Sequence, residues 1–339
     1  MLAILAPGQG AQTPGQLQPW LEIGGVETRL RWWSEAVGID LVDVGCHASA
    51  DTIRDTALAQ PLIVATGLVA AEQLPAINPG HIVVAGHSVG EITACVLAGT
   101  LDAESALVFV ALRGRAMAQA AGRVATGMTA VLGGEPDLVI DHLEQLGLTA
   151  ANRNGAGQIV AAGTVEALAT LAERPPPRTR LRSLSVAGAF HTHFMEPARE
   201  RLAMIAAGLR PRTPGLPQVS NADGAVIRTG PDLVARLVDQ VAAPVRWDLC
   251  LAQLRDLGVT AVLELPPAGT LAGIAKREFP GVRVVAVKTP DDLPAARELV
   301  AEYGGPPADT DRAGTDQAGT DRAGTAVGET DTGLVGALR

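Results

Sequence analysis

Gly86-His87-Ser88-Val89-Gly90-Glu91 is the stretch of this chain best suited to covalent chemistry. A serine flanked by glycines two positions away on each side can occupy a turn too sharp for side chains at those neighbours. Its Oγ then projects from the turn, and the N-terminus of a following helix favours negative charge developing there. A serine so placed attacks acyl carbons if a base lies within hydrogen-bond reach and donors face the oxyanion. His191 and His193, in Gly188-Ala189-Phe190-His191-Thr192-His193, are the candidate bases, and neither spacing nor composition decides between them. His87 adjoins the serine, but a neighbour in a tight elbow points away from it, so it reads as a packing and hydrogen-bonding residue.

Two further segments could complete such a site. Gly8-Gln9-Gly10-Ala11-Gln12 follows an apolar run, and a glycine-rich turn there can present backbone N–H groups to an anion. Thr13 stands where a dinucleotide fingerprint would need glycine, so the loop reads as an oxyanion-donor loop facing the elbow. Arg113 shares a helical face with Val110, Ala116 and Met117, whereas Arg115 lies elsewhere on the wheel. That periodicity favours Arg113 turned inward, where a guanidinium can clamp a carboxylate by two parallel hydrogen bonds.

The elements that must position these residues follow from the apolar pattern. Met1 to Pro7 reads as a first strand entering the glycine loop, and Ile82-Val83-Val84-Ala85 as a buried parallel strand entering the elbow. Ile92 to Gly99 has the small residues of a tightly packed helix, Pro61 to Gln73 forms an apolar helix, and Leu101 to Ala120 reads as a helix pair. From Met128 the rhythm changes. Strand 128–132, helix 136–146, two strands within 148–162, helix 165–174 and strand 179–186 give the ferredoxin-like order. An inserted subdomain at 124–187 is therefore expected between two halves, 1–123 and 188–303, of a larger α/β domain with a parallel sheet. Ala261 to Leu265 and Val282 to Val287 are its clearest late strands. Residues 304–339, with AGTDQ and AGTDR units, lack the apolar content to offset ordering entropy and are expected to form a disordered tail.

Composition excludes several function classes. The 339 residues carry a net charge of −9 and only 3% aromatics, which argues against nucleic acid as a partner. No segment approaches the ~20 apolar residues of a membrane span, and the N-terminus lacks the basic region of an export signal. Cys46, Cys95 and Cys250 are odd in number and far apart, so a reducing cytoplasm is the expected compartment. Cys95 reads as a core residue of the elbow helix.

Taken together, the motifs closely resemble the malonyl-CoA:acyl-carrier-protein transacylases and the related acyltransferase domains of polyketide synthases. The resemblance runs from Pro7-Gly8-Gln9-Gly10 to about Lys276-Arg277, nearly the whole chain before the tail. It is carried by PGQGAQ, AQP at 59–61, GHSVGE, LRG at 112–114, NRNGAGQIVAAG at 152–163, GAFH at 188–191, SNADG at 220–224 and PVRW at 244–247. It implies an α/β-hydrolase-like large domain, Ser88 as the acylated nucleophile and His191 as its general base. The base in this family is steadied by a backbone carbonyl, which maps onto Gln240. Backbone N–H groups of Gln9 and Val89 would form the oxyanion hole, and Arg113 would hold the free malonyl carboxylate. Asn152 and Asn154 match asparagines near the CoA side of the cleft, and Phe190 is linked with malonyl over methylmalonyl. The implied substrates are malonyl-CoA and acyl carrier protein, with no cofactor or metal, and the implied state is a free-standing monomer. Two positions depart from the family pattern. His193 brings a second titrating group beside the base, and Pro266-Pro267-Ala268-Gly269 replaces a Gly-Pro-Gly turn.

Three other readings compete: a lipase- or patatin-like serine hydrolase or thioesterase, a polyketide acyltransferase using another extender unit, and a non-catalytic carrier-protein docking module. A buried cation at 113 suits a dicarboxylic acyl group and disfavours a fatty chain. Intact Ser88 and His191 oppose the docking module.

Overall fold

The computed structural model describes residues 1–305; the expected tail lies outside them except for Gly304 and Gly305. Two sheets organise the chain. The larger is parallel, with strands β1 (Leu2–Ala6), β2 (Ile82–Gly86), β7 (Gln218–Val219), β8 (Ala261–Glu264) and β9 (Arg283–Ala286) in the order β7-β2-β1-β8-β9. The smaller contains β3 (Thr126–Gly133), β4 (Thr149–Gly155), β5 (Gln158–Thr164) and β6 (Thr179–Ser183) in the order β4-β5-β3-β6, all antiparallel. With helices Pro136–Gln145 and Val165–Glu173 between its strands, this second sheet has the ferredoxin-like connectivity.

Strand periodicity explains why the parallel sheet is covered on both faces. Leu2, Ile4, Ile82, Val84 and Leu263 enter one apolar core, whereas Ala3, Leu5, Val83, Ala85 and Val262 enter another on the opposite face. Burying each leucine, isoleucine or valine contributes about 1.5–3 kcal/mol before ordering entropy is subtracted. In the small sheet, Val131, Ile159 and Ala161 pack on its own helices in a third core. Their neighbours Met128, Ala130 and Val160 line a cavity instead.

Two local expectations, both on helices, are corrected. Residues 101–120 form one helix, Ala103–Ala121, rather than a pair. Gly114 does not break it, because the glycine marks a close helix crossing: a Cβ there would lie 2.7 Å from the Thr56 carbonyl oxygen. The helix expected from Pro61 starts earlier and spans Thr56–Ala71, because the Asp55 carboxylate accepts from Ala57 N and caps it. The first 120 residues contain two strands only, the intervening chain being helical at Val26–Val37, Leu41–His47 and Thr56–Ala71. Among the described residues, no helix is long and apolar enough to cross a membrane.

The Pro266-Pro267 turn still delivers a well-held helix, Thr270–Glu278. The buried Glu264 carboxylate accepts from the backbone N–H groups of Gly269, Leu271 and Ala272, occupying that helix N-terminus. Thr270 and Leu271 consequently reach the rim of the cavity at the end of β1 and β2.

Candidate active site

Ser88 sits between β2 and the helix Gly90–Leu97 with φ of 52°, a left-handed backbone that a serine adopts at a cost. Both glycines of the elbow are sterically required. A Cβ on Gly86 would lie 2.0 Å from the Gly90 carbonyl, and one on Gly90 would lie 2.2 Å from the Ala6 carbonyl oxygen of β1. The elbow is thus pressed against the neighbouring strand, and only the serine side chain is free to project.

His191 also has a left-handed backbone, φ 62°, and its N–H donates to Val241 O. Its Nδ1 is 2.7 Å from Gln240 O and its Nε2 is 2.7 Å from Ser88 Oγ. A carbonyl can only accept, so Nδ1 carries the proton and Nε2 is left to accept from the serine hydroxyl. Burial, and then the positive charge of Arg113, push the imidazole down to about 3, so it is neutral at physiological pH. His193 is exposed and its ring packs on Phe194. The geometry thus brings His191 and not His193 to the serine, a choice that spacing and composition left open.

Arg113 is fully buried behind the serine, as its helical face requires, whereas Arg115 is exposed and donates to Val37 O. Its Nη1 donates to Gln60 Oε1 at 2.7 Å and its Nη2 to Gln240 Oε1 at 2.8 Å, with Ser88 Oγ 3.5 Å from Nη2. Two carboxamide oxygens therefore stand on the guanidinium where the oxygens of an acyl carboxylate could stand. The Nε–H is buried with no acceptor among the described residues. Burial lowers the guanidinium to about 10, which leaves it charged.

The cavity in front of Ser88 and His191 holds about 200 Å³. Gln9 and Val89 line it, and among the described residues neither backbone N–H is given to a protein acceptor. Phe190 and Met117 supply apolar wall, and Asn152 and Asn154 lie on the small-sheet side. Asn154 Oδ1 accepts from His87 Nε2 at 2.8 Å, and the His87 ring meets Trp247 edge-on, so His87 is a packing residue that also holds Asn154.

Three site residues were not singled out from the sequence: Gln60, Glu91 and Asn221. Each lies within a quoted motif, AQP, GHSVGE or SNADG, and each is a buried polar side chain. Their type and place in those motifs were the available signal.

A hydrogen-bonded serine–imidazole pair on a strand-to-helix elbow marks the class of α/β enzymes that carry acyl groups on serine. Known proteins narrow the class. The acyl transferase domain family model matches residues 30–290. The malonyl CoA-acyl carrier protein transacylase of Mycobacterium tuberculosis is 51% identical over 296 residues, covering 86% of this chain and 98% of that protein. The transacylase of the same name from Escherichia coli is 30% identical over 306 residues, covering 88% and 99%. The chain belongs to the acyl transferase family and, within it, to the malonyl CoA-acyl carrier protein transacylases. The crystal structure of MCAT from Mycobacterium tuberculosis superposes with a TM-score of 0.84 at 49% identity, over 88% of this chain and 99% of that one. A type II PKS acyl-carrier protein in complex with its malonyl-transacylase gives a TM-score of 0.81 at 27% identity, over 88% and 99%.

Proposed function

We propose that this chain transfers the malonyl group from malonyl-CoA to the phosphopantetheine thiol of an acyl carrier protein through malonyl-Ser88, in fatty-acid or polyketide synthesis. The observation that carries this reading is a neutral His191 on Ser88 Oγ with a buried guanidinium directly behind the same oxygen. His191 Nε2 takes the hydroxyl proton as Oγ bonds to the thioester carbon. The oxyanion rests on the N–H groups of Gln9 and Val89, each worth about 3 kcal/mol of barrier. The carbon–sulfur bond then breaks, and CoA leaves as the thiol with the proton from His191. In the second half the carrier thiol gives its proton to His191, sulfur bonds to the acyl carbon, and Ser88 recovers its hydrogen.

Arg113 pairs with the free carboxylate, which displaces one or both glutamine oxygens now on its Nη atoms. The buried cation opposes the hydrolase reading, because a fatty acyl chain would offer it no partner. The catalytic part comprises 1–123 with 188–303, and the segment 124–187 supplies the cavity wall through Met128, Ala130, Gln158 and Val160. In this reading the enzyme works as a cytoplasmic monomer, and its chemistry comes from its own side chains and the two thiol-bearing substrates.

Intact mass after incubation with malonyl-CoA tests the reading. Wild type should gain one malonyl group and lose it to added holo carrier protein, and Ser88→Ala should gain none while keeping its melting temperature. A malonylated Ser88→Ala protein would move the nucleophile elsewhere.

A further inference from the structure

Asn221, in the segment after β7, is fully buried and clips three residues of the elbow at once. Its Oδ1 accepts from Ser88 N at 2.7 Å, its Nδ2 donates to Gly86 O at 2.7 Å, and its backbone N–H donates to Glu91 Oε1 at 3.0 Å. The carboxamide orientation is fixed by chemistry, since one shoulder of the elbow offers only a donor and the other only an acceptor. On its outer side the same Oδ1 receives Gln240 Nε2 at 3.2 Å, and Gln240 O holds the base. Asn221 O accepts from Arg246 N, which ties the clip to the chain leading into the helix Trp247–Asp256.

We propose that Asn221 is a positioning residue for acyl transfer: its carboxamide holds Ser88 in its left-handed backbone and so aims Oγ at His191 and the Val89 N–H at the oxyanion. The left-handed turn at Ser88 is unfavourable and persists only where surrounding contacts over-determine it. Glycine spacing permits the turn, and the carboxamide is the group that grips both of its sides. Because Asn221 consumes the Ser88 N–H, that donor is unavailable to the oxyanion, which leaves the hole to Val89 and Gln9. The inference rests on the acyl-serine reading above.

The test compares wild type with Asn221→Asp, which keeps the size but turns a donor into an acceptor facing Gly86 O, and with Asn221→Ala. Acylation is followed with malonyl-CoA, with acetyl-CoA and with a small fluorophosphonate that reports nucleophilic serines. Rates are normalised to the sites titrated. Both variants should lose about a hundredfold in rate per titrated site, the scale of a reacting atom misplaced by about 1 Å. The loss should be equal for the two acyl donors and the phosphonylating reagent, with the malonyl-to-acetyl ratio and malonyl-CoA KM kept. A residue that only supports folding would lower the melting temperature or the titratable fraction and leave the rate per site alone, and that result overturns the proposal. If neither variant folds, wild type labelled with 15N-asparagine decides. The Asn221 side-chain amide resonances should shift on acylation of Ser88, and unchanged resonances overturn the proposal. Wild type that takes the fluorophosphonate but no malonyl group would instead refute the functional reading and leave this one standing.

Discussion

The Arg113 guanidinium and the Glu91 carboxylate belong to one buried network and are bridged by the side chain of Gln240. Its Oε1 accepts from Arg113 Nη2 at 2.8 Å while its Nε2 donates to Glu91 Oε2. The carboxamide dipole is thereby oriented with oxygen toward the cation and nitrogen toward the anion. Burial pushes the Glu91 carboxyl up to about 7, against the pull of its hydrogen bonds and the Arg113 charge. Gln240 thus serves twice, its backbone oxygen on His191 Nδ1 and its side chain between two charges.

Arg113→Ala should depress malonyl transfer and raise the acetyl-to-malonyl ratio. Malonyl-CoA loses a charge-assisted hydrogen-bonded partner, worth about 1.5–3 kcal/mol, whereas acetyl-CoA, with no carboxylate, leaves Arg113 on its two glutamine oxygens and loses no such partner. Competition between the two thioesters for wild type and variant reads the ratio directly. An Arg113→Ala enzyme that keeps its malonyl preference would remove the carboxylate clamp from the mechanism.

Two buried groups should shape stability against pH with opposite signs. His191 has a folded value of about 3 against 6.5, so its contribution is present above about 6.5 and is lost as pH falls toward 3. Glu91 has a folded value of about 7 against 4.5, so its contribution is full below 4.5 and is lost as pH rises through 7. Melting curves of wild type and Glu91→Gln from pH 4.5 to 8.5 should therefore diverge, with wild type losing ground to the variant between pH 4.5 and 7 and the gap levelling off above pH 7. Parallel curves would show that Glu91 ionises in the fold without penalty.

His191→Ala should cost several orders of magnitude in transfer, the scale of losing a triad-type base. His193→Ala, on an exposed ring away from the serine, should cost about tenfold or less. Single-turnover acylation rates for the two variants provide the check, and the reverse ranking would reassign the base.

Phe190→Ser should relax discrimination against methylmalonyl-CoA. The side chain lines the cavity beside His191, and one added methyl in an apolar pocket is worth only ~1–3 kcal/mol. The expected gain is thus on the order of tenfold in the methylmalonyl-to-malonyl ratio. An unchanged ratio from mixed-substrate assays would place selectivity on another wall residue, with Met117 the first candidate.

Much of the site was legible because its residues announce themselves by local rules. The glycine spacing at 86 and 90 already signals a sharp elbow, and helical periodicity already favours an inward Arg113. The choice between His191 and His193 was not readable from spacing, because it depends on where Gln240 and Ser88 arrive from distant parts of the chain. Gln60, Glu91 and Asn221 escaped for a related reason. A buried amide or carboxylate has no periodic signature, and its role exists only in the partners that the fold brings to it. Residues 101–120, expected as a helix pair, form one helix in which Gly114 is the point where the Thr56 carbonyl approaches, a contact that no local pattern reveals.

β1 lies at the middle of the parallel sheet, between β2 and β8, and its neighbours are unequally distant along the chain. At ribosomal speeds of about 5–20 residues per second, the stretch from Ala6 to Ala261 takes on the order of tens of seconds to make. For that interval one edge of β1 has no native partner, and its backbone N–H and C=O groups, on a strand apolar on both faces, stand open to wrong pairings. The antiparallel sheet, whose strands all fall between Thr126 and Ser183, can close without waiting for β8. Birth of this enzyme is therefore staggered, with the wall of the cleft able to mature before the floor that carries Ser88.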